Sequence, residues 1–218
     1  MASANRVIAY IDGFNLYFGL REKGLKRCYW LNLRALALAL LRRDQQLIST
    51  KYFTARIAGG TRWDPPDRAR FMEEKRKRQS DFLEALGTLP DFRLYEGHYL
   101  AKPVRCSACG ASWRTHEEKM TDVQIATELL TDAFSNRFDV ALLISGDSDL
   151  VPPIRALRRY FPNKRLVVAF PPARTSVQLQ KAATASIEIR EGDLARSVFP
   201  DEVRKPDGYV LRRPKDWR

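Results

Sequence analysis

Val140-Ala-Leu-Leu-Ile-Ser-Gly-Asp-Ser-Asp-Leu150 is a short apolar run that stops abruptly in small polar residues and two aspartates. An unbroken run such as Val140 to Ile144 suits a strand buried on both faces of a parallel sheet. In open α/β sheets, ligands gather beyond the carboxyl ends of the strands, so Asp147 and Asp149 are expected at such an end. Two carboxylates held one residue apart repel each other unless a cation joins them. Hard divalent ions, Mg²⁺ and Mn²⁺ among them, prefer oxygen ligands of this kind. Taken alone, the segment also reads as a turn shaped by Asp147 and a helix capped by Asp149, both ordinary roles for aspartate. The choice rests on what the rest of the chain brings to the same place.

The stretch Arg6-Val-Ile-Ala-Tyr-Ile-Asp-Gly-Phe-Asn15 repeats the arrangement. Val7 to Ile11 read as a second buried strand tipped by Asp12, and residues 15–24 as a short helix with Leu16, Phe18 and Leu20 inward and Gly24 closing it. Two such tips side by side would bring their carboxylates together. A third acid comes from Thr121-Asp-Val-Gln124, which fits a capping box opening a helix to about Phe134. Val123, Ala126, Leu130 and Ala133 are its expected inward stripe. If the strand before this helix is parallel to the others, Asp122 lies at the same sheet edge as Asp12; as a first-turn acid it also suits the helix dipole.

The remaining chain alternates in the same way. Helices are expected over residues 33–42, 67–87 and from Asp149 to about Tyr160, where Pro152 and Pro153 fall in the first turn. Strands are expected over 47–57, 92–97, 165–170 and 186–190. The charged run Glu73-Glu-Lys-Arg-Lys-Arg78 suits a solvated helix face or a phosphate-contacting ridge. The pattern gives an α/β, three-layer fold with a mostly parallel central sheet between helices, over residues 1–190. The basic tail, 191–218, carries Tyr209 and Trp217 and is expected to dock on the domain.

With 38 Lys and Arg against 26 Asp and Glu, the 218 residues carry a formal net charge of +12. An excess of that size points to a polyanionic partner, nucleic acid being the commonest. Arginines at the rim, Arg155 and Arg174 among them, would hold its backbone. No apolar run approaches membrane-spanning length, and Met1 to Arg6 show no secretory segment, so a cytoplasmic protein without a membrane partner is expected. Cys106-Ser-Ala-Cys109 interrupts the rhythm at 98–118, with the only two histidines, His98 and His116, on either side. Together they offer a Cys₂His₂ set for tetrahedral Zn²⁺, although their spacing follows no common zinc pattern; a reduced Cys-x-x-Cys in a loop is the alternative. Cys28 reads as packing.

Asp12, Asp122, Asp147 and Asp149 are thus expected together in a strongly basic protein. Such a cluster can bind one or two Mg²⁺ or Mn²⁺ ions and suits hydrolysis of a phosphodiester. Tyr10-Ile-Asp-Gly-Phe-Asn15, Glu118-Lys-Met-Thr-Asp122 and Leu143-Ile-Ser-Gly-Asp-Ser-Asp149 resemble, in combination and order, the three signature segments of NYN domains. These are PIN-like nucleases, and the match is nearest to the LabA-like branch, over about Val7 to Arg190. The resemblance implies a PIN-like fold and Mg²⁺- or Mn²⁺-dependent endoribonuclease action on RNA. It puts metal-binding acids at Asp12, Asp122, Asp147 and Asp149, a neutral ligand or water-orienting group at Asn15, and small polar positions at Ser145 and Ser148. Met120 and Thr121 depart from the pattern, since many relatives carry a Gly before the third acid. Two other readings stay open: a non-catalytic regulatory RNA-binding module, and a glycosyltransferase using Asp147-x-Asp149, which leaves Asp12 and Asp122 unexplained. Self-association or a regulatory protein partner is also left open.

Overall fold

The computed structural model describes residues 4–59 and 64–218, with the side chains of 101–103 and 113–118 outside that description. In chain order the elements are β1 (Asn5–Asp12), α1 (Gly13–Glu22), α2 (Leu33–Ala39), β2 (Gln45–Ala55), α3 (Pro66–Leu86), β3 (Phe92–Arg105), β4 (Ser112–Lys119), α4 (Thr121–Phe134), β5 (Val140–Ile144), α5 (Val151–Tyr160), β6 (Arg165–Phe170), α6 (Val177–Ala182), β7 (Ala185–Glu188), α7 (Glu191–Arg196), β8 (Glu202–Arg204) and β9 (Val210–Arg212). The first seven strands form one sheet in the order β4-β3-β2-β1-β5-β6-β7, and β8 with β9 form a separate hairpin. Every pair in the large sheet is parallel except β3 with β4.

β1 is buried on both faces, which explains its apolar sequence. Val7, Ala9 and Ile11 face a core shared with α1, α2, α3 and α7, while Ile8 and Tyr10 face one shared with α4, α5 and α6. The chain is therefore a three-layer α/β fold. From β1 it runs through β2 and β3 to one side, then crosses back to β5, β6 and β7 on the other. The strand order reverses between β1 and β5, where the carboxyl ends open a crevice and ligands bind in sheets of this kind.

The strand before α4 is antiparallel, against expectation. β3 pairs with β2 only from Phe92 to Gly97, then runs past the sheet edge and pairs from His98 to Arg105 with β4, which returns to Lys119 opposite His98. β4 thus stops where β3 leaves the sheet, and α4 still begins at the carboxyl edge. The capping box is absent: Met120 precedes the helix in the left-handed region, φ 82 and ψ −19, with no side-chain cap. Such backbone costs a non-glycine residue about 1 kcal/mol or more. The buried face of α4 carries Ile125, Leu129, Asp132 and Ala133, while Val123 is exposed.

The arm also breaks up the zinc set. His98 lies at its base and Cys106 just beyond its tip, eight positions further along the chain, seven of them within β3. At roughly 3.3 Å per residue that is about 26 Å, so His98 cannot share an ion with Cys106 and Cys109. His116 stands opposite Ala101 part-way along the arm, and its side chain lies outside the described residues. Cys106 and Cys109 are free thiols in the turn, where the Cys106 amide donates to Ala111 and the Gly110 amide to Cys106.

In the carboxy-terminal segment, Val203 and Leu211 join the core under α1, α2 and α3. The Trp217 ring meets Tyr29, Trp30 and Phe82. Among the described residues, no helix is long and apolar enough to cross a membrane.

Candidate functional site

Asp12 ends β1 and caps α1, because its Oδ1 accepts the Asn15 amide at 3.0 Å. Its Oδ2 accepts from Asn15 Nδ2 at 2.9 Å and from the Ser145 hydroxyl at 2.8 Å. Asn15 Oδ1 in turn accepts the Gly146 amide at 3.1 Å, tying the tip of β1 to that of β5. Ser145 Oγ accepts the Asp147 amide at 3.0 Å, and Asp147 Oδ1 accepts the Asp149 amide at 2.9 Å. Asp147 and Asp149 therefore do shape the turn, as their sequence context allowed, and the same bonds fix where their charges stand. Gly13 is demanded by close approach, since a Cβ there would meet the Phe53 carbonyl at 2.7 Å.

Asp122 enters from the first turn of α4. Burial, then the charges of Asp12, Asp147 and Asp149, push its carboxyl up to about 6. Asp12 is also raised, by burial first, against the bonds from Asn15 and Ser145, with Asp147 adding to the rise. The four acids expected together are therefore close enough to act on one another. Among the described residues, none of them makes an ion pair. Nor, among those residues, do three His, Cys, Asp or Glu side chains gather closely enough to hold an ion by themselves. Mg²⁺ does not require that, because it keeps several waters and binds through one or two carboxylates plus substrate phosphates. An all-oxygen set with mutual repulsion and, among the described residues, no cationic partner fits such an ion.

The residues expected to bind substrate divide. Ser148 is exposed in the turn with Asp149, and Arg155 is exposed on α5. Ser145 is fully buried and spends its hydroxyl on Asp12 and Asp147, so it positions acids and does not meet a substrate. Arg174 lies against Gly146, where an added Cβ would meet the Arg174 Cβ at 3.0 Å, but its guanidinium pairs with Glu22 at 3.0 Å. Sequence reasoning missed the support behind the site. Lys51 of β2 is buried between Asp132 and Glu128 of α4, and the signal was a lysine inside a strand, beside Tyr52 and Phe53, with acids one helical turn apart at Glu128 and Asp132.

The Asp122 shift has a sign that can be tested. Its carboxyl titrates near 3.8 when unperturbed and about 6 in the fold. Between those values the folded chain binds more protons than the unfolded one, so stability falls as pH rises through that window. Metal-free Asp122→Asn should therefore melt above the parent at about pH 8, with the gap closing towards about pH 4. A variant that melts no higher at the upper pH would show that the charge on Asp122 is not unfavourable there.

The comparisons with known proteins agree with this architecture. The model of the NYN domain family matches residues 6–190. A relative from Pseudomonas putida, the 6-hydroxy-3-succinoylpyridine 3-monooxygenase HspA, is 28% identical, covering 97% of this chain and 75% of its own. A crystal structure of a protein of unknown function from Vibrio parahaemolyticus superposes with a TM-score of 0.55 at 21% identity, covering 88% of this chain and 96% of that one. At that identity the likeness speaks for the fold.

Proposed function

This chain belongs to the NYN domain family, and from that premise we propose that it is a metal-dependent endoribonuclease. The observation that carries the reading is four carboxylates, without a cationic partner among the described residues, at the crevice between β1 and β5 of a chain with a net charge of +12. Asp12, Asp122, Asp147 and Asp149 would hold Mg²⁺ or Mn²⁺, which when bound supplies an activated water and stabilises charge on the attacked phosphate. The chain's own part is positional. Asn15 and Ser145 hold Asp12 in one orientation, and the Asp147–Asp149 turn presents its acids at the surface. Arg155 and the wider basic surface bind the phosphate backbone, and Ser148 lies beside the acids for a polar contact.

The test is cleavage of mixed single-stranded and hairpin RNA with Mn²⁺ against EDTA. Cutting in Mn²⁺ that EDTA abolishes supports the reading. Tight binding without cutting in either condition would replace it with a regulatory RNA-binding role. Binding should also weaken steeply with salt, by roughly 0.7 to 0.9 counterions released per phosphate contacted. A flat salt response would remove the basic surface from the argument.

The likeness to the Pseudomonas putida monooxygenase favours a second reading, in which the same crevice hydroxylates a small aromatic ring. Turnover of 6-hydroxy-3-succinoylpyridine with uptake of O2 and matching oxidation of a supplied two-electron reductant, one oxygen atom entering the ring and the other leaving as water, unaffected by Asp147→Asn, would support it over hydrolysis.

A further inference from the structure

Helix α1 has two faces, and only one of them lies in the core. Gly13, Leu16, Gly19 and Leu20 are buried, while Phe14 and Tyr17 are half-buried on the other face. Phe14, Tyr17, Phe18 and Arg21 recur at the i, i+3, i+4 and i+7 positions of a second face. Phe18, expected inward, is on this face and 40% exposed. None of Phe14, Tyr17 and Phe18 belongs to either apolar core.

The rings form a continuous row. Phe14 and Phe18 stack at 6.4 Å with planes 24° apart, and Tyr17 lies 5.4 Å from Phe18 and 5.1 Å from Tyr29. At the other end Tyr99, at the base of the β3–β4 arm, meets Phe14 edge-on at 5.9 Å. Phe14 sits in sequence between Asp12 and Asn15, so the row starts at the acidic crevice. It ends among cations. Arg21, one turn beyond Tyr17, acts on the Tyr29 phenol, and Lys75 of α3 feels both Arg21 and Arg78. Among the described residues, neither Arg21 nor Lys75 makes an ion pair.

Aromatic rings in a row, beside cations that pair with no carboxylate among the described residues, match one kind of polymer. Single-stranded nucleic acid offers planar bases to stack and phosphates to pair, and stacking accepts any base because each has a π face. A duplex hides its base faces. We infer that this face of α1 is a stacking rail that leads single-stranded nucleic acid into the acidic crevice, with bases on Phe14, Phe18 and Tyr17 and phosphates on Arg21 and Lys75. The inference rests on the nuclease reading for its polymer, and it adds the strand form and the path. Continuity with the acids and the adjoining cations favour this occupant over a second copy of the chain.

The test is binding in EDTA, where cleavage plays no part. Fluorescence anisotropy would follow a fluorescein-labelled oligouridine and, separately, an RNA duplex of the same length, with the parent, Phe18→Leu and Phe18→Trp chains. Leucine keeps the apolar volume but has no π face. Phe18→Leu should weaken single-strand binding by roughly tenfold, the scale of one lost base stack, while Phe18→Trp retains it and duplex affinity does not change. Parent-like single-strand binding by Phe18→Leu would overturn the rail, as would an equal loss on the duplex. A change in sedimentation on substitution, with RNA binding intact, would assign the face to self-association instead. Cleavage with a normal Phe18→Leu would keep the nuclease and reject the rail, while specific stacking without cleavage would do the reverse.

Discussion

Asp147→Asn should lower Mn²⁺-dependent RNA cleavage by a factor of about a hundred or more, the scale on which one electrostatic contact at a reacting centre acts. The substitution is clean because of what Asp147 does locally. Its Oδ1 accepts the Asp149 amide, and its own amide donates to Ser145. An asparagine carbonyl accepts the same amide and caps as well as aspartate, so the turn survives and only the charge is lost. Melting temperature and RNA affinity in EDTA should stay near the parent values, since the basic surface is untouched. Loss of cleavage together with folding would say nothing about the site, so the thermal melt is part of the measurement. Undiminished cleavage by a folded Asp147→Asn chain would end the assignment of these aspartates as the metal site. Asp12→Asn is a poorer probe, because Asp12 also holds the start of α1 and the Ser145 hydroxyl.

The strand tips were legible in the sequence because buried parallel strands are nearly uniform in hydrophobicity and end where that uniformity breaks. Asp12 after Ile11, and Ser145 to Asp149 after Ile144, are such breaks. β1 and β5 pair so that Ile11 stands opposite Ile144. The arm was less legible. Beyond Gly97, β3 leaves the sheet with a mixed sequence whose pairing partner is simply the next strand, so no buried periodicity marks it. Asp122 reached the expected edge by a different route, through an antiparallel return and not a parallel strand. The inward stripe of α4 was displaced because its buried face includes Asp132, a charged residue that hydrophobic patterning assigns to solvent. The same rule concealed Phe18, an aromatic that patterning puts inside and the fold leaves at the surface.

Asp132→Ala should cost about 3 to 5 kcal/mol of stability, the range for removing one member of a buried ion pair. The Asp132 side chain is fully buried and accepts from Lys51 Nζ at 2.5 Å, the Tyr10 hydroxyl at 2.6 Å and Arg137 at 3.2 Å. Lys51, 2% exposed, also donates to Glu128 at 2.6 Å, and Glu128 accepts the Tyr95 hydroxyl at 2.7 Å. Burial alone would push the Lys51 ammonium down, yet its bonds to Asp132 and Glu128 outweigh that and hold it above the ordinary lysine value. Removing Asp132 leaves the Lys51 ammonium with Glu128 alone, and Lys51→Met leaves Asp132 with Arg137 alone. Each single change takes one of two partners from a buried charge. The double variant Lys51→Met/Asp132→Leu removes both buried charges, so urea unfolding at neutral pH should find it less destabilised than the sum of the two. It should remain below the parent, because the buried Tyr10 hydroxyl loses its acceptor. Strict additivity would mean that the charges are solvated where they stand and that the network does not hold α4 to β2. Coupling would make Lys51 the pin that fixes the helix carrying Asp122, since its two partners lie one turn apart on α4.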